Sequence, residues 1–133
     1  MKRNYKYLWS LMPAILILVC NALGGWWVAG NAVFSLFILA FLEKYLPDNK
    51  NNETDDNVFF PNVILQLHVL LQLLILFSVG YTLRHFEYSY LQLFLLALSV
   101  GINTGGSSIV IAHELIHRKN PYYQFLGKLL LLT

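Results

Sequence analysis

The chain has 133 residues, of which 57% are hydrophobic and 12% are charged, about half the charged share of roughly 25% that is typical of a soluble domain. A mean hydropathy of +0.56 and long uncharged runs argue against soluble, disordered and fibrous proteins and favour a membrane protein. The net charge of +2 is spread between apolar runs and forms no basic stripe, which excludes nucleic acid as a partner.

Four apolar runs approach the roughly 20 residues that a helix needs to cross the hydrocarbon core of a bilayer. In chain order they are residues 8–28, 32–46, 63–83 and 90–111. The first two are expected to form a helical hairpin, with Trp26 and Trp27 at the membrane interface. The second run is the shortest, so its helix either tilts little or begins inside the turn at residues 24–27. A further apolar stretch, residues 126–133, begins a fifth helix and ends without a charged, Pro or Gly terminator. The sequence therefore predicts an all-α polytopic bundle, with residues 1–133 forming the N-terminal part of a longer membrane domain.

The distribution of basic residues predicts the orientation of these spans. With the N-terminus in the cytoplasm, eight of the nine Lys and Arg residues lie on the cytoplasmic side and only Arg84 lies outside. The positive-inside rule therefore predicts a multi-pass protein of the inner or plasma membrane with a cytoplasmic N-terminus. The acidic loop at 47–57 is then cytoplasmic, and its Asn, Asp and Pro content predicts a solvated, non-helical segment.

Two of the four histidines lie close together at the cytoplasmic end of the fourth span, in the sequence His113-Glu114-Leu115-Ile116-His117. On a helix, residues i and i+4 lie about 40° apart, so the imidazoles of His113 and His117 can converge on one metal ion. A regular helix would also place Ser99 and Gly106 on the histidine face. Ionisable groups at the membrane are candidates for function, and this pair is the main one here.

The spacing alone allows three interpretations. In a membrane zinc peptidase, both histidines bind zinc, Glu114 is the general base and a third ligand comes from elsewhere. In a non-haem iron site, histidines from several helices bind iron that activates dioxygen, and Glu114 orients a ligand. In a non-catalytic membrane fragment, both histidines form hydrogen bonds near the lipid headgroups. The charged residues and Pro121 that follow predict that the helix ends at the membrane surface.

The segment at residues 113–119, His-Glu-Leu-Ile-His-Arg-Lys, resembles the first histidine box of the integral-membrane alkane hydroxylases (alkane 1-monooxygenases), within the membrane fatty-acid desaturase and hydroxylase group. The order of elements is also similar to that family: an apolar hairpin, a polar loop, two further spans, the box and another helix. The resemblance covers essentially the whole chain as the N-terminal third or so of a longer protein. Family members often carry Asn-Thr before the box, where this chain has Val110 and Ile111.

The resemblance implies an oxidoreductase with a cytoplasmic diiron centre that hydroxylates an alkyl chain with dioxygen and takes electrons from a rubredoxin-type donor. Only His113 and His117 match the iron ligands of the family, so the other ligands are expected beyond residue 133. Whether the substrate is an alkane, an acyl chain or an aromatic methyl group stays open, as does hydroxylation against desaturation.

Two further residues are weaker candidates for supporting the site. In the third span, His68 and Gln72 are one turn apart with Gln66 nearby, and this polar stripe is expected to face the bundle interior and to form interhelical hydrogen bonds. Metal ligation by His68 is the alternative. Glu43 lies near the end of the second span and is expected to be solvated; the resemblance adds a structural role, or one in supporting a metal ligand.

Overall fold

The computed structural model describes residues 8–39, 41 and 59–133, and every regular element within these ranges is helical. Helix α1 is Trp9–Leu23, and α2 runs through a 3-10 turn, Gly25–Ala29, an α-helical turn, Gly30–Val33, and a π-helical turn, Phe34–Leu39. Helix α3 is Phe59–His85, α4 is Tyr90–Ile116 and α5 is Pro121–Leu131. Glu43 and the acidic loop lie outside the described residues.

By length and composition, two of these helices could cross a membrane. They are Pro61–His85 within α3 and Tyr90–Ile116, the whole of α4. The helices Trp9–Leu23 and Gly25–Ile38 are apolar but shorter than 18 residues. Many large apolar side chains of α3 and α4 are exposed on the outside of the bundle, Phe77 and Phe94 among them. The described residues thus form an all-helical bundle with two helices of membrane-spanning length.

The boundary between α1 and α2 lies at Gly24, so α1 ends at Leu23 and the run predicted at 8–28 is broken. Gly24 has φ 67° and ψ −168°, a backbone region that essentially only glycine occupies. The ring of Phe86, in the turn between α3 and α4, lies against Gly24, with its carbons 2.6 Å from where a Cβ would stand. The hydrophobic pattern does not indicate this break, but the sequence marks a turn at residues 24–27 in which the second helix can begin, and α2 begins there at Gly25.

Substituting Gly24→Ala should lower the free energy of unfolding by about 1–2 kcal/mol, because a side chain would force both the backbone and the Phe86 ring to move. Denaturation of the purified protein in mild detergent measures the change. Gly25→Ala is the matched control: Gly25 has φ 58°, but nothing lies within 4 Å of its missing Cβ. Equal losses for the two variants would contradict the role given to Phe86.

Helices α4 and α5 each begin at a residue whose side chain caps the helix N-terminus. At the start of α4, the Ser89 hydroxyl accepts a hydrogen bond from the Gln92 backbone N–H, and the Gln92 side chain accepts one from the Ser89 N–H at 2.8 Å, a capping box. At the start of α5, Asn120 accepts from the Tyr122 N–H at 2.9 Å, and Pro121 occupies the first turn. The helix that carries the histidine pair therefore ends where the charged residues and Pro121 predict.

Helix α3 forms the centre of two apolar clusters. One cluster joins it to α1 through Ala14, Ile17 and Ile75. The other joins it to α4 and α5 and consists of Leu65, Val69, Ala112, Leu115 and Leu130. The second cluster lies under the histidine pair, because Ala112 and Leu115 are fully buried while His113 is exposed. The histidines are thus held on a helix whose opposite face is packed.

Candidate metal centre

His113 lies in the last turn of α4, and His117 is the C-cap residue directly after it. The His117 backbone N–H donates to the His113 carbonyl at 3.3 Å, so the two residues keep the one-turn spacing of an α-helix. Both side chains are exposed. Within the described part of the chain, neither imidazole takes part in a hydrogen bond or an ion pair. Two imidazoles on one helix face are therefore available to a metal ion.

Glu114 is paired with Arg118. The two side chains form an ion pair of 2.8 Å one helical turn apart. Arg118 also donates to the side-chain carbonyl of Asn62 in α3, and its guanidinium lies 5.4 Å from the centre of the Tyr123 ring. Arg118 therefore connects the end of α4 to both α3 and α5, and the Glu114 carboxylate is engaged in that connection.

His68 and Glu114 line the same groove, which has a volume of about 360 Å³ and lies between α1, α3 and α4. Its walls are otherwise apolar apart from Ser10. His68 is buried, and its Nε2 lies 3.0 Å from the Ser10 hydroxyl in a hydrogen bond between α3 and α1. The expected inward position of His68 and its interhelical bond are thus present. As far as the structure describes the chain, this groove is not lined by His113 or His117.

The donor set of the described residues fits part of a metal site. Zinc sites in proteins have three or four protein ligands, and no group of three His, Cys, Asp or Glu side chains close enough to hold a metal occurs among the residues described. His113 and His117 can fill two positions of a coordination sphere. The remaining ligands of any such site must come from outside these residues.

The expected alignment of Ser99 with the histidines is wrong. Ser99 is buried: its hydroxyl donates to the Val28 carbonyl at 2.7 Å and accepts from the Ala32 N–H at 3.2 Å, both in α2. Gly106, by contrast, is exposed together with the histidines. The reason is a π-helical turn, Thr104–Ser108, between the two halves of α4. The only indication in the sequence is the run Thr-Gly-Gly-Ser-Ser, whose residues are weak helix formers.

The side chain of Gln72 in α3 is buried and contacts this turn at three points. Its Oε1 accepts hydrogen bonds from Asn103 at 3.1 Å and from Ser108 at 2.9 Å. Its Nε2 donates to the hydroxyl of Thr104 at 2.9 Å. The sequence indicates that Gln72 faces inward but not which residues it meets, since its partners lie 31 to 36 positions away along the chain.

Comparison with protein-family models, with curated proteins and with solved structures gave no match to this chain. The function is therefore inferred from the residues and the geometry described above. The feature with the most specific chemistry is the His113 and His117 pair, since it combines one-turn spacing, exposure and ring nitrogens that have no hydrogen-bond partner among the described residues.

Proposed function

We propose that this chain provides two histidine ligands to the non-haem iron centre of a membrane hydroxylase that acts on an alkyl chain. The observation that carries the proposal is the pair itself: His113 and His117 lie one turn apart at the end of an apolar helix long enough to cross a membrane, and their imidazoles are exposed. The resemblance of residues 113–119 to the first histidine box of the alkane hydroxylases favours iron as the metal. It also favours two metal ions, with the other ligands outside the described residues.

Each residue near the pair then has a definite role. His113 and His117 bind the metal, and bound iron would supply the activation of dioxygen with electrons from a rubredoxin-type donor. Arg118 fixes the end of the ligand helix through Asn62 and the Tyr123 ring. Glu114 is neutralised by Arg118, which suits a structural role near a ligand better than the free carboxylate that the zinc-peptidase alternative needs.

An apolar groove along α4 is suited to an alkyl substrate. It has a volume of about 430 Å³ and lies between α3 and α4, with Leu76, Leu93 and Val100 among its lining residues. Thr104, the lining residue of α4 that is nearest to His113 along the chain, is about 14 Å of helix rise from it at 1.5 Å per residue. An extended chain that enters from the bilayer could therefore lie along α4 with one end directed toward the histidines.

We also infer four membrane spans with the N-terminus and the histidine pair on the cytoplasmic side. The distribution of Lys and Arg supports this orientation. The sharp turn at Gly24 between the apolar helices Trp9–Leu23 and Gly25–Ile38 supports a hairpin. In this arrangement Arg118 and Lys119 lie at the headgroups, directly after the ligand pair.

Metal analysis of the full-length purified protein tests the proposal. We expect iron to copurify with the protein and to be lost in His113→Ala, whereas His85→Ala should retain it. His85 is a suitable control because it is also exposed and its Nδ1 is bonded only locally, at 2.9 Å from the Tyr81 carbonyl oxygen. One equivalent of zinc without iron would contradict the hydroxylase and favour the peptidase. A protein that retains no metal would favour purely interfacial histidines.

A further inference from the structure

Before its π-helical turn, α4 has buried positions at the spacing of a regular α-helix. They are Gln92, Leu96, Ser99 and Asn103, separated by four, three and four residues, which is the spacing of one face of an α-helix. The next buried positions are Ser108, Ala112 and Leu115. These residues form the buried stripe of α4. The step from Asn103 to Ser108 is five residues, so the π-helical turn adds one residue to the spacing between successive buried positions.

An uninterrupted α-helix would bury a different set of residues. Continuing the alternation of four and three residues from Asn103 gives Gly106, Val110, His113 and His117. All four are exposed in the structure, and Val110 is 63% exposed. The one-residue shift at Thr104–Ser108 is therefore what keeps both histidines out of the buried stripe of α4. Such π-helical turns are rare and often lie at functional sites.

Gln72 holds both ends of this turn. Its Oε1 accepts from Asn103 and from Ser108, the two buried residues that are five positions apart, and its Nε2 bonds Thr104 between them. In an α-helix the residue one turn after Asn103 is Ser107, which carries the same hydroxyl group as Ser108. The Ser107-Ser108 pair thus permits either register, and the Gln72 amide is bonded to the residues of the π register.

We propose that Gln72 is a positioning residue that fixes the π-helical register of α4 and so directs His113 and His117 to the outside of the bundle. The inference deepens the proposed function, since it explains how the ligand pair is presented. It also specifies the side from which other ligands approach, which is the face of α4 opposite Ala112 and Leu115. Without Gln72, relaxation of the turn to an α-helix would rotate the histidines by about 100° relative to the first half of α4.

A spin label at position 110 reports the register without any metal. The full chain carries Cys20→Ala and Val110→Cys, and the EPR spectrum is recorded in lipid vesicles. With Gln72 present the label should be mobile, because position 110 is exposed. In Gln72→Leu we expect most of the signal to become immobilised as position 110 enters the buried stripe. Ser108→Ala should give a smaller change in the same direction, and Ser107→Ala should give none.

A deletion separates register from general stability. Removing Gly105 shortens the step from Asn103 to Ser108 to four residues, which is the spacing of a regular α-helix. In the deletion variant, a regular α-helix therefore keeps Ser108 in the buried stripe and position 110 exposed, even without Gln72. Gln72→Leu combined with this deletion should therefore restore the mobile spectrum. An unchanged spectrum in Gln72→Leu alone would overturn the proposal. A more mobile label together with lower helical content would also overturn it, because this result indicates that the helix bundle has loosened and not that α4 has changed register. Because the label needs no iron, failure here is distinct from failure of the metal analysis.

Discussion

Replacing His113 or His117 with alanine is expected to lower the oxidation of an alkyl-chain substrate by a hundredfold or more, with the fold retained. Both side chains are exposed and free of partners among the described residues, so their removal leaves no cavity and no unpaired buried group. Even changes to residues that only support a ligand cost about 10–100-fold in metal affinity or activity. Oxygenated product is measured with the full-length protein, a reduced rubredoxin-type donor and dioxygen.

The control for this prediction is Arg118→Lys. It keeps the positive charge next to Glu114 but removes the guanidinium, which donates one hydrogen bond to Asn62 and another to Glu114. We expect a smaller loss of activity than for either histidine, because the variant alters the support of the helix end and not the ligands. Wild-type activity in His113→Ala would refute the ligand assignment.

The second large effect is expected at Gly127 in α5, which packs directly on α4. A Cβ at this position would lie 2.8 Å from the Ala112 carbonyl oxygen and 3.0 Å from the Ile116 backbone nitrogen. Since backbone atoms cannot move aside as a flexible side chain can, Gly127→Leu should separate α5 from α4. We expect a loss of about 3 kcal/mol in the free energy of unfolding, the upper part of the range for overpacking.

Denaturant titration in detergent micelles measures this loss, and Gly80→Leu is the matched control. Gly80 is also helical, but it is exposed and nothing lies within 4 Å of its missing Cβ. The control should therefore be nearly as stable as the wild type. Similar destabilisation of both variants would contradict close packing of α5 on α4 as the cause, since leucine is a better helix former than glycine and does not by itself destabilise a helix.

The sequence predicts the all-helical class well, because hydrophobic runs depend only on local composition. It places α3 and α4 close to their observed bounds, and the end of α4 follows from Asn120 and Pro121. It also indicates that His113 and His117 lie one helical turn apart, since this spacing is a local property.

What the sequence misses depends on contacts between distant residues. The side of the bundle toward which the histidines face follows from the π-helical turn. That turn is hydrogen-bonded to Gln72 in another helix. The break at Gly24 is filled by the ring of Phe86, 62 positions away. The groove that His68 shares with Glu114 likewise requires the arrangement of three helices. No periodicity in a single segment contains this information.

The contact between Phe86 and Gly24 has a consequence for assembly during synthesis. Gly24 lies in the turn that joins α1 to α2, and Phe86 lies in the turn that joins α3 to α4. In the four-span arrangement proposed above, each of these helix pairs would enter the bilayer as a hairpin, and membrane helices generally associate after they have inserted. The contact between the Phe86 ring and Gly24 would then join two preformed hairpins, and it would form only after the second hairpin has emerged from the ribosome.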